Sequence, residues 1–450
     1  MEIKAVIGAN YGDEGKGLVT NFLVKEAIHK NKTPIVILNN GGPQRGHTVI
    51  CGNNKHVFHH FGSGTMQNAP TFIASQYIVN PILFVKEYNE LVEMGYEPMV
   101  YIDPSCYITT PCEMLCSQLV SKAVTEIMKV KDTCGLGIWE SVLRIENQNN
   151  AYNIKQLKWY AENIDSTKEI KEYLLDLYNY SLDDLFIEVL SSKSQVDGFF
   201  ESPDYKSQLK AIAKTYATAL GINIENLFDH WINDLKTMIE ISNKNSFITN
   251  RFKDNNSVFI IENGQGILLD RNHDKRFGTP SYTGSKGVHD FIADYFARRE
   301  SELELEVIYV SRPYLTRHGS GELENEIHDS ELLEILSKND TTNIPNEFQG
   351  SIRFGKLDIN TLSERIKSDF YCITKYSKLI PSFLQNYRYS IFFTHMEESD
   401  YIYKDNYYNK IIIPYCNNFI NYNMHSDTIH IASSNKVTEI KISDYRDGKC

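Results

Sequence analysis

The chain has 450 residues, 42% hydrophobic and 23% charged, with a formal net charge of −12. This is enough apolar material for a sizeable core and too little charge for wholesale disorder, and the sign is wrong for a broad nucleic-acid or anionic-membrane surface. A local basic pocket remains compatible with it. No apolar run reaches the roughly 18 residues that span a bilayer. The N-terminus runs straight into a strand without a signal-peptide pattern. A cytoplasmic setting is therefore expected, with the eight cysteines as free thiols, since neither a disulfide frame nor zinc-like ligand spacing is evident.

Residues 3–9 are short, apolar and β-branched, as expected of a buried parallel strand. Gly12-Asp13-Glu14-Gly15-Lys16-Gly17 follows, and residues 18–27 then carry apolar side chains at helical spacing. Strand, glycine turn and helix form the layout of a phosphate-binding loop. Glycines admit phosphate oxygens close to the backbone, and the helix start offers free N–H groups at a positive dipole end. The common P-loop spacing is absent. Instead Asp13 and Glu14 sit inside the loop, where carboxylates would repel phosphate unless a metal or proton intervenes. Such a loop suggests Mg²⁺, or a carboxylate acting as a base. The plain alternative is a solvated surface turn. A second buried run, residues 35–38, leads into another glycine turn with Asn40, Gly46, His47 and Thr48, and a third turn follows at residues 58–65.

These three stretches together resemble the adenylosuccinate synthetase family. Its signatures are Trp-Gly-Asp-Glu-Gly-Lys-Gly, Gly-Gly-x-Asn-Ala-Gly-His-Thr and His-x-x-Pro-Ser-Gly. Here they read Tyr11-Gly12-Asp13-Glu14-Gly15-Lys16-Gly17, Gly41-Gly42-Pro43-Gln44-Arg45-Gly46-His47-Thr48 and His60-Phe61-Gly62-Ser63-Gly64, in the same order and spacing. The resemblance implies an α/β fold: a mostly parallel central sheet, flanking helices and a helical excursion at residues 151–250 within one 450-residue domain.

Further along, a helix is expected over residues 82–94 with Gly95 as its stop, then a strand at 98–102. Thr109-Thr110-Pro111 makes a natural start for a helix reaching about residue 130. Residues 132–138 form a glycine turn similar to the family's loop for the 5′-phosphate of the purine monophosphate. Thr133 matches its hydroxyl, and Cys134 stands where a second threonine is usual. Arg144 lies where the family places an arginine that reaches a neighbouring subunit's nucleotide; otherwise it is a solvated helix charge. Residues 151–250 carry no readable chemistry and are expected to pack their own apolar helical stripes.

Residues 257–270 read as a buried strand ending in a glycine turn with Gln265 at its tip, where open α/β sheets bind ligands. They resemble the family's Glu-Gly-Ala-Gln-Gly-x-Leu-Leu-Asp, whose glutamine contacts the purine monophosphate. Thr279 resembles a nucleotide-phosphate contact. Residues 314–321 are similar to Tyr-x-Thr-Arg-Val-Gly-x-Gly; Arg317 matches, and His318 replaces a valine that lies beside the ribose. Residues 346–358 cover the aspartate loop, shorter here, with Arg353 as the expected aspartate ligand because a guanidinium can grip a carboxylate in two bonds. Two segments compete for the guanine motif of the family's GTP site. Residues 374–377 lie in a helical run, whereas residues 390–397 have a preceding strand and end in Glu397. The second is preferred, and the motif is degraded in either case. Ser433 sits where the family wraps the donor purine. Asn21 replaces a usual aspartate, with no consequence to attach to it.

The resemblance implies a ligase that joins L-aspartate to the 6-position of IMP with hydrolysis of GTP or ATP. Asp13 would be the base for the purine N1 proton, and His47 would steady charge between the γ-phosphate and the 6-oxygen. Lys16, with Gly12, Glu14, Gly15 and Gly17, would cradle the transferring phosphoryl group. Gln265 would hold the acceptor, and Mg²⁺ would be held by Asp13 and the Gly46 carbonyl. A homodimer is implied, without membrane or nucleic-acid partners. Two alternatives stand beside IMP: a phage-type relative adding aspartate to dGMP with ATP, and a catalytically inactive nucleotide sensor. Intact Asp13, Lys16, His47 and Gln265 speak against the sensor.

Overall fold

Glu2–Gly8 lies in the middle of a nine-stranded sheet. From one edge the order is Val100–Ile102, Thr71–Ile73, Thr33–Leu38, Ser257–Gly266, Glu2–Gly8, Glu304–Ser311, Asn386–Phe393, Thr428–Ser433 and Lys436–Lys441. Every neighbouring pair is parallel except the last. The computed structural model describes residues 1–128, 134–147, 152–193, 205–273, 278–297, 303–319, 321–339, 351–377, 386–395, 428–433 and 436–441.

Alternation along the strands divides their side chains between two cores. Val6, Val36, Ile260, Ile308 and Phe392 face one layer. Ala5, Ile7, Ile37, Phe259, Val307 and Ile391 face the other. Both faces are covered, so the middle of each central strand reads as a largely apolar run, with charged residues such as Lys4 and Glu306 toward the amino ends. Lys16–His29, Pro81–Glu93 and Pro111–Met128 cover the first face, while Ser285–Phe296 and Ile359–Ser377 cover the second. The helix expected from residue 82 starts one residue earlier, with the Asn80 side chain accepting from the Leu83 N–H (3.2 Å) and Pro81 in the first turn. At the Thr-Pro start, Glu113 reaches back to accept from the Thr110 N–H at 2.9 Å, the reciprocal half of a capping box.

The excursion is helical, as expected: Leu157–Asn163, Thr167–Tyr180, Phe186–Lys193, Tyr205–Ala219 and Ile224–Lys244. Its packing differs from the expectation. Leu174, Leu177, Phe186, Trp231 and Leu235 join the same cluster as Val36, Val100 and Cys112 rather than forming a core of their own. The sheet edge gives the reason. Val100–Ile102 is the last strand, and an open edge leaves unpaired N–H groups. The Ile102 N–H donates to Ser242 Oγ on Ile224–Lys244 at 3.0 Å, so the helix seals the edge while its apolar face extends the core.

Because eight of the nine strands run the same way, the loops after Gly8, Leu38, Gly266, Ser311 and Phe393 leave the same edge of the sheet, the carboxyl edge where such folds bind ligands. Two antiparallel strand pairs interrupt these connections: the hairpin His47–Cys51 with Asn54–Phe58, and Tyr314–Arg317 with Arg353–Lys356. The first starts on His47. The second sets Arg317 opposite Arg353.

Candidate active site

The loop after Gly8 is braced from within and from outside. Glu14 is 1% exposed. Its carboxylate turns back to accept from the N–H groups of Asn10 (3.0 Å) and Gly12 (2.9 Å), and Lys16 Nζ donates to it at 2.9 Å. Three successive carbonyls are then pinned by other elements. Gly12 accepts from Thr316 Oγ1 (2.8 Å), Asp13 from Arg312 Nε (2.6 Å) and Glu14 from Thr394 Oγ1 (2.6 Å). This holds Asp13 at φ 62°, a left-handed conformation uncommon for a residue with a side chain. The two loop carboxylates therefore part company. The Glu14 side chain braces the loop, while the Asp13 side chain is 26% exposed with His318 Nε2 3.5 Å away. Gly8 permits the arrangement. A Cβ there would press on Glu14 and lie 2.7 Å from the Gln265 carbonyl and 2.9 Å from Lys16 Nζ. Gly8→Ala is expected to destabilise the protein by roughly 1–3 kcal/mol, read as a lower denaturant midpoint.

Gln265 is not on a turn beyond its strand but is the penultimate residue of Ser257–Gly266, at φ 53°, where the register with Glu2–Gly8 shifts. Asn40 clamps the residue before it, accepting from the Gly264 N–H at 2.9 Å and donating to the Gly264 carbonyl at 3.4 Å. Gln265 Oε1 is buried with no protein partner, as a group poised for a ligand donor would be. Gln44 Oε1 is in the same condition, and both side chains lie over the bare Cα of Gly41.

His47 is 6% exposed and its Nδ1 lies 2.6 Å from Glu262 Oε1. Glu262 is fully buried; it also accepts from the Ser63 N–H (3.0 Å) and hydroxyl, and meets Arg45 Nη2 at 3.3 Å. Gly17 lets the first helix approach: a Cβ there would lie 3.0 Å from both His47 Cβ and Ser63 Oγ. Burial alone would raise the Glu262 carboxyl, but His47 and Arg45 hold it down at about 2. Burial, then Arg45, push His47 down to about 4 against the pull of Glu262.

A second buried carboxylate, Glu87, supports the neighbouring turn. It accepts from the N–H groups of His59 (2.8 Å) and His60 (2.6 Å). Burial would raise it, but His56 and His60 bring it to about 2. Both glutamates are depressed below 4.5, so the stability they confer is complete above that pH and lost as pH falls toward about 2. His47, depressed from 6.5 to about 4, costs stability over that interval, because the unfolded chain takes up the proton first. The thermal midpoint is expected to decline below pH 6.5 and more steeply below 4.5, with the lower limb shallower in Glu87→Gln.

The other expected residues fall as follows. Gly15, at φ 87°, caps the first helix and packs near Thr394. Gly46 is exposed, and Thr48 is half-buried opposite Val57. Arg317 is buried, its guanidinium 4.8 Å over the Tyr11 ring and Nη1 donating to the Glu322 carbonyl at 2.9 Å. Arg353 braces the turn bearing His318, donating to the Gly319 (3.0 Å) and Gly321 (2.7 Å) carbonyls and to Glu326 (3.1 Å). The Thr279 N–H donates to the Leu269 carbonyl at 2.7 Å within a half-buried turn.

Arg144 requires a correction. It is 3% exposed, ion-paired with Glu113, and donates to the Tyr152 carbonyl and the Tyr173 hydroxyl, each at 2.6 Å. It is not a solvated charge, because a buried guanidinium takes the carboxylate beside it. Thr133 and Glu397 lie outside the described residues. Ser433 ends its strand opposite Lys436. Residues 374–377 close the helix Ile359–Ser377, whereas Asn386–Phe393 is a strand running to Thr394 and so to the Glu14 carbonyl.

Sequence reasoning missed Arg45, Glu262, Ser63, Arg312, Thr316 and Thr394. Glu262 was within reach, because it opens the motif that carries Gln265. The hydroxyls that pin the loop carry no local signal.

Residues 5–375 match the family described as adenylosuccinate synthetase. The chain is 27% identical over 191 residues to the adenylosuccinate synthetase of Borrelia turicatae (strain 91E135), covering 41% of this chain and 43% of that protein. It is 24% identical over 333 residues to that of Borrelia recurrentis (strain A1), covering 73% and 66%. The matches thus span between 43% and 66% of these relatives' lengths. Among solved structures it is similar in fold to the fully ligated adenylosuccinate synthetase from Plasmodium falciparum, with a TM-score of 0.57 and 19% identity over 87% of this chain and 76% of that one. With the match running through all the glycine loops described above, the chain belongs to the adenylosuccinate synthetase family.

Proposed function

We propose that the protein is a ligase joining L-aspartate to the 6-position of a purine nucleoside monophosphate, IMP in the first instance, with hydrolysis of GTP or ATP. One observation carries the reading. Asp13 with Lys16, and His47, follow the carboxyl ends of two parallel strands, Gln265 lies at the carboxyl end of the strand between them, and of the two loop carboxylates only Asp13 reaches solvent.

The purine 6-oxygen is a poor leaving group until it is phosphorylated. Asp13 takes the N1 proton, which frees the electron pair that lets the 6-oxygen attack the γ-phosphorus as its bond to the β-phosphate bridging oxygen breaks. Lys16, His47 and the loop N–H groups steady the charge on the transferring group. The aspartate amine then bonds to C6, and phosphate departs carrying the 6-oxygen. Gln265 orients the acceptor, and Arg353, which holds Glu326 at 3.1 Å, would exchange that carboxylate for the one on the aspartate substrate. The residues present suit Mg²⁺. Among the described residues no three His, Cys, Asp or Glu side chains are grouped to hold a metal alone, and Mg²⁺ takes one or two protein oxygens with substrate phosphates and water. Asp13 and the Gly46 carbonyl would be those oxygens, and the ion would neutralise donor phosphate charge.

A second reading, dGMP as acceptor with ATP as donor, draws on His318: an imidazole 3.5 Å from Asp13 changes the polarity where the family's motif has valine. A homodimer rests on the family alone, since Arg144 is committed within its own chain. A single 450-residue unit working in the cytoplasm completes the reading; no helix of the described residues is long and apolar enough to cross a membrane.

The test is phosphate release with aspartate and Mg²⁺, crossing IMP, dIMP, GMP and dGMP against GTP and ATP. Turnover with IMP supports the first reading, and turnover confined to dGMP supports the second. Nucleotide binding without turnover in any pair would overturn both in favour of a sensor.

A further inference from the structure

Arg45 stands two residues before His47, where the family's motif has alanine, yet it is only 2% exposed. A buried guanidinium is costly unless its hydrogens find partners, so its partners indicate its role. Nη1 donates to the Glu262 main-chain carbonyl at 2.8 Å. Nη2 lies 3.3 Å from Glu262 Oε2 and 2.8 Å from His47 Nδ1. Ser63 holds the same carboxylate through its N–H and its hydroxyl. The main chain is fixed as well, because His59 Nδ1 meets the carbonyls of both Pro43 (2.9 Å) and Arg45.

A carboxylate can only accept. The proton in the 2.6 Å contact between His47 and Glu262 therefore sits on Nδ1, and Nε2 points away from Glu262. Arg45 cannot donate to Nδ1 in that state; its bonds go to the main chain and carboxylate of Glu262. We propose that Arg45 is a positioning residue that locks Glu262 against His47 and so sets the direction of His47 Nε2. It acts through Glu262, not on substrate, and its value to turnover rests on His47 being the phosphoryl-stabilising group described above.

The test has two readouts. The first is kinetic. Arg45→Met keeps the aliphatic stem and removes the grip, and it should lower kcat about 10–100-fold, the usual effect of losing an outer hydrogen-bond partner, while KM for each substrate stays within about threefold. Arg45→Lys should recover part of the loss. The second needs no turnover. In protein labelled with ¹⁵N-histidine, the Nδ1 proton shared with Glu262 should give a far-downfield resonance that is present in the unaltered protein, absent in Glu262→Gln, shifted in Arg45→Lys and broadened or lost in Arg45→Met. An unchanged resonance with unchanged kcat in Arg45→Met, or in Arg45→Lys should the first not fold, would overturn the proposal. A resonance that responds to Arg45 in a protein that turns over no substrate would leave the positioning role standing and overturn the ligase reading instead.

Discussion

Asp13→Asn is expected to reduce turnover by about 10²–10⁴-fold, the range for removing a general base, with little change in stability and with nucleotide affinity lowered only in the presence of Mg²⁺. The choice of asparagine follows from the backbone. Asp13 sits at φ 62°, a region asparagine tolerates better than most residues, and its carbonyl bond to Arg312 Nε at 2.6 Å does not involve the side chain. The variant therefore keeps the loop, leaves an amide oxygen toward the metal and removes the group that can take a proton. Asp13→Ala would mix lost chemistry with backbone strain. Steady-state kinetics beside nucleotide titration check the prediction. An asparagine variant within about threefold of the unaltered rate would remove Asp13 from the base's role.

Lys16→Met is expected to act on two quantities at once. Lys16 and Glu14 form a pair with side chains 2% and 1% exposed. Removing one partner of such a pair leaves a buried charge at a cost of about 3–5 kcal/mol, here toward the lower end because two N–H groups still donate to Glu14. The turnover loss is expected to be about 10²–10³-fold, the scale of deleting one donor from a developing oxyanion. The double variant Lys16→Met with Glu14→Gln separates the two effects. It should recover most of the lost denaturant midpoint and none of the lost rate. Recovery of both would mean that Lys16 is there only to neutralise Glu14.

The parts of the fold legible from sequence share a physical cause. The strands Glu2–Gly8, Thr33–Leu38 and Ser257–Gly266 are buried on both faces, so their sequences hold short apolar runs at 5–7, 35–38 and 258–261, each followed by glycines. The turns mark the carboxyl edge because each follows such a run. What the sequence could not reveal was which of the adjacent Asp13 and Glu14 faces outward. That depends on the sign of one φ angle and on Arg312, Thr316 and Thr394, which arrive 299, 304 and 380 residues after their partners. Arg144 misled for a similar reason. Its spacing is that of an exposed helix charge, but the excursion brings Tyr152 and Tyr173 over it beside Glu113. The excursion itself was legible as helices and not as core, because the edge it seals lies more than a hundred residues earlier at Ile102.

The central claim is that the 6-oxygen of the purine leaves as phosphate, drawn out by the base and phosphoryl site on these loops. Acceptor nucleotide labelled with ¹⁸O at the 6-position, turned over with aspartate and nucleoside triphosphate, tests it most directly by mass analysis of the released phosphate. One ¹⁸O atom per phosphate is the result predicted. Unlabelled phosphate, with the label retained on the nucleotide or lost to water, would contradict it.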